Sequence, residues 1–184
     1  EIVLEDGERS VTWPTTRISV ARIPLATRDV VLVHGIEPSM RWRSFSAELL
    51  SVARDLGVEM VVTLGALLAD TPHTRPVPVS GTSSDSALAL KLGYEPSSYE
   101  GPTGIVGVLQ DACATAGIPS VSLWAAVPHY VASPPCPKAT LALLARIEDL
   151  LDVPVPLGDL PDESRAWQIG VDELAGEDEE IAAY

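Results

Sequence analysis

Cationic side chains are scarce in this 184-residue chain: 12 Lys and Arg stand against 26 Asp and Glu, for a formal charge of −14. Binding a phosphate backbone requires basic patches that displace counterions, so nucleic acid is not an expected partner. Long apolar runs are missing as well. None reaches the roughly 18 residues that a membrane-crossing helix needs, and no signal peptide opens the sequence. No membrane association is expected, and the expected location is the cytoplasm. Cysteine is limited to Cys113 and Cys136, which form neither a Cys-x-x-Cys pair nor a zinc-like spacing. They read as free thiols in a reducing compartment, Cys113 in a core helix and Cys136 in a loop. No Gly-x-Ser-x-Gly elbow and no P-loop is present, and no cofactor is expected. None of the three histidines is paired at i,i+2 or i,i+4, so no metal site is expected. An initiator Met is lacking too. The opening Glu1-Ile-Val-Leu-Glu-Asp-Gly7 reads as mid-chain, and an upstream segment is expected to be missing.

What the chain does contain suits one globular domain. Its residues are 46% hydrophobic and 21% charged, at a length that sustains one sizeable core. Val30-Val-Leu-Val-His34 is a β-branched run ending at Gly35, the form of a buried parallel strand. Residues 42–56 carry apolar positions at Phe45, Leu49, Leu50, Val52, Ala53 and Leu56, with Gly57 as a stop, which predicts an amphipathic helix. Met60-Val-Val-Thr-Leu-Gly65 predicts the next strand, and the strand–helix–strand order predicts a right-handed βαβ unit. Pro72, Pro76 and Pro78 exclude helix between Asp70 and Gly81, leaving room for a short edge strand over 77–80. A short helix is expected over 84–92, capped by Ser83 or Ser84 and stopped by Gly93. Residues 94–102 read as a loop. Further helices are predicted over 104–116, 138–151 and 162–183, a third central strand over 121–127, and a hairpin turning at Asp6-Gly7. Alternating strands and helices of this kind give an α/β, three-layer sandwich around a mostly parallel sheet. One domain is expected over 1–184, with residues 159–184 as an acidic helical tail. That tail holds nine Asp or Glu against one Arg, the composition of a solvated helix. With few aromatics and exposed apolar faces to cover, the chain is expected to self-associate.

His34, His73 and His129 each follow a predicted strand. In a parallel α/β sheet the strand C-terminal ends share one edge, where ligands bind, so the three are expected together there. Their neighbours complete a candidate cleft of His34, Glu37, Arg41, His73, Arg75, Thr103, Gly104, His129 and Tyr130. Within it, Glu37 or His73 would carry a proton, while Arg75 and the free N–H groups of the helix opening at Gly104 would hold an anion. The same residues have plainer readings. His73 and Arg75 suit a proline-rich loop that they tie to local carbonyls, and Glu37 with Arg41 has the spacing of an i,i+4 pair. Trp124 reads as core. Gly101-x-x-Gly104-x-x-Gly107 is too short and wrongly placed for a dinucleotide fingerprint.

Four segments in order carry a family resemblance: His34-Gly-Ile-Glu-Pro-Ser-Met-Arg-Trp42, Asp70-Thr-Pro-His-Thr-Arg-Pro76, Glu100-Gly-Pro-Thr-Gly104, and Ser122-Leu-Trp-Ala-Ala-Val-Pro-His-Tyr130 with Lys138-Ala-Thr140. Together they resemble the actinobacterial branch of the proteasome assembly chaperone 2 family. The resemblance implies a fold similar to the purine nucleoside phosphorylase type of sandwich, a homo-oligomer, and a non-enzymatic, protein-binding role with proteasome subunits as partners. The chain ends Ala182-Ala183-Tyr184, without the residue that trails the family's C-terminal hydrophobic-Tyr-x motif, so that motif is not carried over. The alternative is a small-molecule hydrolase or phosphorylase that uses the histidine-lined edge.

Overall fold

The computed structural model describes residues 2–5, 7–23, 26–94 and 100–177. Two short antiparallel ribbons open the chain. β1 (Ile2–Glu5) pairs β2 (Glu8–Val11) with Ile2 opposite Val11, the expected hairpin. Its Gly7 has φ 82°, a backbone state only glycine adopts freely; Asp6, its expected partner in the turn, lies outside the described residues. β3 (Arg17–Ala21) then pairs β4 (Val30–His34) with Arg17 opposite His34.

α1 (Trp42–Asp55) lies where its period placed it, with Ser46, Leu50 and Ala53 buried on one stripe and Gly57 turning left-handed just beyond its end. β5 (Val61–Ala69) is longer than predicted, and β6 (Val79–Ser83) overlaps the expected edge strand but starts two residues later and ends three later. α2 (Ser86–Leu92) is capped by the Asp85 carboxylate, which accepts from the Ala87 and Leu88 N–H groups. Neither predicted serine is the cap: Ser83 is the last residue of β6, and its hydroxyl donates to the Ser120 carbonyl. α3 (Ile105–Ala116) ends at left-handed Gly117, and β7 (Ser120–Pro128) follows. A single 3₁₀ turn, His129–Val131, leads on to α4 (Pro137–Leu151), which starts with proline in its first turn, and α5 (Leu160–Glu177) closes the described chain. The predicted continuation of that last helix through residue 183 lies outside the described residues.

The protein is an α/β sandwich, but its sheet is mixed. β7 is central, parallel to β5 on one side and antiparallel to β6 on the other. The expected third parallel member, β4, bonds instead to β3, and the βαβ unit of β4, α1 and β5 has no ladder between its two strands among the described residues. An eight-residue connection brings β3 and β4 together antiparallel, which a short link allows and a parallel pairing does not. β7 is buried along nearly all its length, as a strand covered on both faces must be. α3 and α4 both pack on it, α1 on α3 and α5 on α4. Ala125 and Val127 meet Ala139 of α4 in the core, with Val79 and Leu143 beside them. On the neighbouring strand Gly65 has no alternative. A Cβ there would stand 2.6 Å from the Trp124 indole, whose Nε1 donates to Ser122 Oγ at 2.9 Å. Thr63 Oγ1 donates to the same oxygen at 2.8 Å. The one polar side chain in the middle of the central strand is thus paired.

Candidate functional site

The predicted cleft divides into two places. The first is built where the β5–β6 loop meets the end of β7. Its prolines stiffen the loop, and the Arg75 N–H closes a turn onto the Pro72 carbonyl. This turn sends His73 inward until it is 5% exposed. Tyr130, on the 3₁₀ turn after β7, receives the His73 backbone N–H at 2.8 Å and lies 2.8 Å from His73 Nδ1. The other ring nitrogen, Nε2, stands 2.9 Å from Asp172 Oδ1 of α5. The tautomer assigned from these partners has Nδ1 accepting from the phenol and Nε2–H donating to the carboxylate.

Lys138 of α4 donates to the His73 carbonyl and, at 2.9 Å, to Gln168 Oε1 of α5. Burial pushes its ammonium below the usual 10.5, while the nearby Cys136 and Asp172 pull it upward. His129 lies beside the same junction, exposed, with its ring edge-on to Tyr130 at 5.6 Å and Nδ1 3.4 Å from the Ala69 carbonyl.

The second place is the start of α3. Gly104 caps that helix without a side-chain bond, and Glu37 Oε1 stands 3.8 Å from where a Gly104 Cβ would be. A carboxylate is stabilised by a helix N-terminus, so the position expected to hold an anion has the chain's own carboxylate beside it. Thr103 lies over Gly107, where a Cβ would collide with its hydroxyl.

The sequence pattern of the PAC2 family matches residues 1–175. The chain belongs to the PAC2 family. A PAC2 family protein from Streptomyces avermitilis is 65% identical, with a TM-score of 0.90 over 100% of this chain and 78% of its own. A proteasome-assembly chaperone homologue from Mycobacterium tuberculosis is 57% identical, with a TM-score of 0.89 and the same two coverages. Pyrococcus furiosus PbaA, an archaeal homologue of proteasome-assembly chaperone, shares the fold at 16% identity and TM-score 0.63, over 95% of this chain and 74% of its own. Among curated proteins no sequence matches.

In this PAC2 chain three of the predicted cleft residues contribute no side-chain bond to either place. His34 is exposed at the end of β4, and Arg75 is exposed on its loop. Arg41 is exposed and left-handed at φ 58°. Among the described residues their side chains make no hydrogen bond or ion pair. The left-handed turn at Arg41 also removes the helical geometry that an i,i+4 pair with Glu37 requires. The expectation of three histidines on one edge therefore fails for His34, because its strand belongs to the β3–β4 ribbon. Sequence reasoning missed Asp172, Gln168 and the role of Lys138. Gln168 and Asp172 are one helical turn apart, a visible pairing, but nothing local says that they meet a histidine 99 residues back.

Chemically, an Asp–His–Tyr line resembles a relay that activates a nucleophile. Here both imidazole nitrogens and both backbone groups of His73 are engaged, and the phenol oxygen already takes a backbone N–H. What the arrangement does is join four segments: the β5–β6 loop, the turn after β7, α4 and α5.

Proposed function

We propose that this PAC2 chain is a protein-binding, proteasome-assembly-chaperone-like domain that works without catalysis and without a cofactor. Membership of the family and the chaperone homologue among its relatives support a chaperone-like role. The observation that carries the reading is the contrast between its polar junction and its apolar surface. The histidine best placed for acid–base work is buried and engaged at every polar atom, while Leu32, Val33, Leu64, Leu67 and Leu68 on β4 and β5 are all more than 40% exposed. Large apolar side chains exposed in this number favour macromolecular partners over small polar substrates. The partners are proteasome subunits and further copies of the chain, with the acidic outer helix α5 as part of the contact surface. No helix of the described chain is long and apolar enough to cross a membrane. Two free cysteines suit a reducing, cytoplasmic setting.

The test sets capture of proteasome α-subunits beside a screen of phosphate- and ester-containing substrates. Capture is expected to survive Arg75→Ala, which touches nothing in the junction, and no substrate is expected to turn over. Turnover abolished by Tyr130→Phe in a protein that still folds would overturn the reading in favour of the hydrolase or phosphorylase alternative.

A further inference from the structure

An open groove of about 570 Å³ runs between α1 and α3. Its rims carry charge and its floor does not. Arg43 and Arg54 of α1 and Asp111 of α3 are exposed along it, without a hydrogen bond or ion pair among the described residues. Leu50, Gly107 and Ala112 lie lower, buried or half-buried. The two arginines stand on one stripe of α1, about 16 Å apart at helical rise. Small residues in the floor let another helix axis come close.

α5 carries the matching pattern on the face it leaves unused. Its inner face is fixed by buried Val171 and by the bonds of Gln168 and Asp172. On the opposite side Asp162, Ala166, Ile169 and Glu173 form one stripe at helical spacing, all exposed. Asp162 and Glu173 have the same separation in sequence as Arg43 and Arg54, and Ile169 between them is 59% exposed. Arg165, the one cation of α5, borders this stripe and is paired with Asp162.

We infer that the α1–α3 groove of one copy receives the outer face of α5 from a second copy, Arg43 and Arg54 pairing with the two acids and Asp111 with Arg165. Copies with a formal charge of −14 repel one another, so a contact between them needs a surface where cations outweigh anions. The groove is one, with two arginines against one aspartate, and the α5 stripe is its inverse. A small anion would meet the arginines but bring no cation for Asp111. Seating Ile169 over Leu50 takes an exposed apolar side chain out of water, and the flanking charges set the register. The exposed pair of Asp162 with Arg165 contributes little by itself and is readily exchanged. In its own copy α5 packs on α4, so its free face is offered to another. Every copy can give a helix and receive one.

This inference rests on the self-association proposed above, and its test keeps the two apart. Sedimentation velocity compares the full chain carrying Arg43→Glu with Arg54→Glu, the chain carrying Asp162→Lys with Glu173→Lys, and their equimolar mixture. Each variant alone is expected to lose at least one copy from the wild-type particle. The mixture is expected to gain mass over either variant, because each groove then meets a helix of opposite charge. An unchanged mass in either variant, or no gain on mixing, would overturn the inference and leave self-association through other faces standing. A wild-type monomer at every concentration would remove both. A photo-crosslinker in place of Ile169 leaves all charges as they are and decides the matter where a reversed variant does not fold. With isotopically mixed copies it is expected to reach residues 43–54 or 103–116 of the other copy, and links only elsewhere would overturn the inference.

Discussion

Tyr130 is where the polar junction is most vulnerable to a single-atom change. Its hydroxyl serves the His73 backbone and ring together, so Tyr130→Phe leaves two polar groups of a nearly buried residue without that partner. A loss of about 1–3 kcal/mol of unfolding free energy is expected, from the desolvation cost of unmatched groups, and urea titration measures it. A loss under about 0.5 kcal/mol, the low end for a net hydrogen bond, would mean that the junction contributes little. Lys138 makes a second, pH-dependent prediction. Its folded pKa lies below 10.5 because burial disfavours the ammonium, so the unfolded chain binds that proton more tightly. The stability that Lys138 contributes therefore rises with pH through the window between the lowered folded value and 10.5. Subtracting the Lys138→Met curve from the wild-type curve should leave a positive slope there. A flat difference would show that the ammonium is not desolvated.

At the scale of elements, α2 shows how one carboxylate can fix a boundary. Asp85 accepts from two N–H groups of the first turn, while Gly93 at φ 69° closes the other end. Asp85→Ala is expected to cost about 1 kcal/mol, the usual loss when a cap becomes alanine. Ser84→Ala should cost far less, because Ser84 is not the cap. Equal effects from the two substitutions would contradict the assignment. α5 is tied differently. Val171 is 3% exposed on its inner side, and Gln168 and Asp172 bond to Lys138 and His73, so the described part of this acidic helix is docked as well as solvated.

At the scale of the whole chain, exposed apolar side chains gather on a few strands. Much of the apolar surface lies on the strands that open the chain and on β5. Ile18, Val20, Leu32 and Val33 of the β3–β4 ribbon and Leu64, Leu67 and Leu68 of β5 are all at least 36% exposed. Burial of that surface between copies is the expected outcome in solution. Light scattering at tens of micromolar should give a mass above that of one chain, and Val33→Lys should shift it downward. A monomer mass throughout the concentration range would count against self-association.

By itself the sequence determined the elements and their stops, because these depend on local periodicity and local backbone freedom. The stripe of Leu50 and Ala53 placed α1, the β-branched run around Val121 placed β7, and Gly57 and Gly93, expected as stops, stand left-handed at the ends of their helices. Of the candidate site, His73, His129 and Tyr130 were legible as neighbours because two of them adjoin in sequence and all three follow strands that pair with one another. Tertiary structure alone decided which strands paired. β4 and β5 both read as central strands, yet the backbone groups of β4 found their partners in β3 through a short connection. That choice carried His34 away from the other histidines. It also decided that His73 would be matched by Asp172, 99 residues away. A side chain's own pattern records whether it is polar and which face it occupies, but its partner is set by the packing of whole elements.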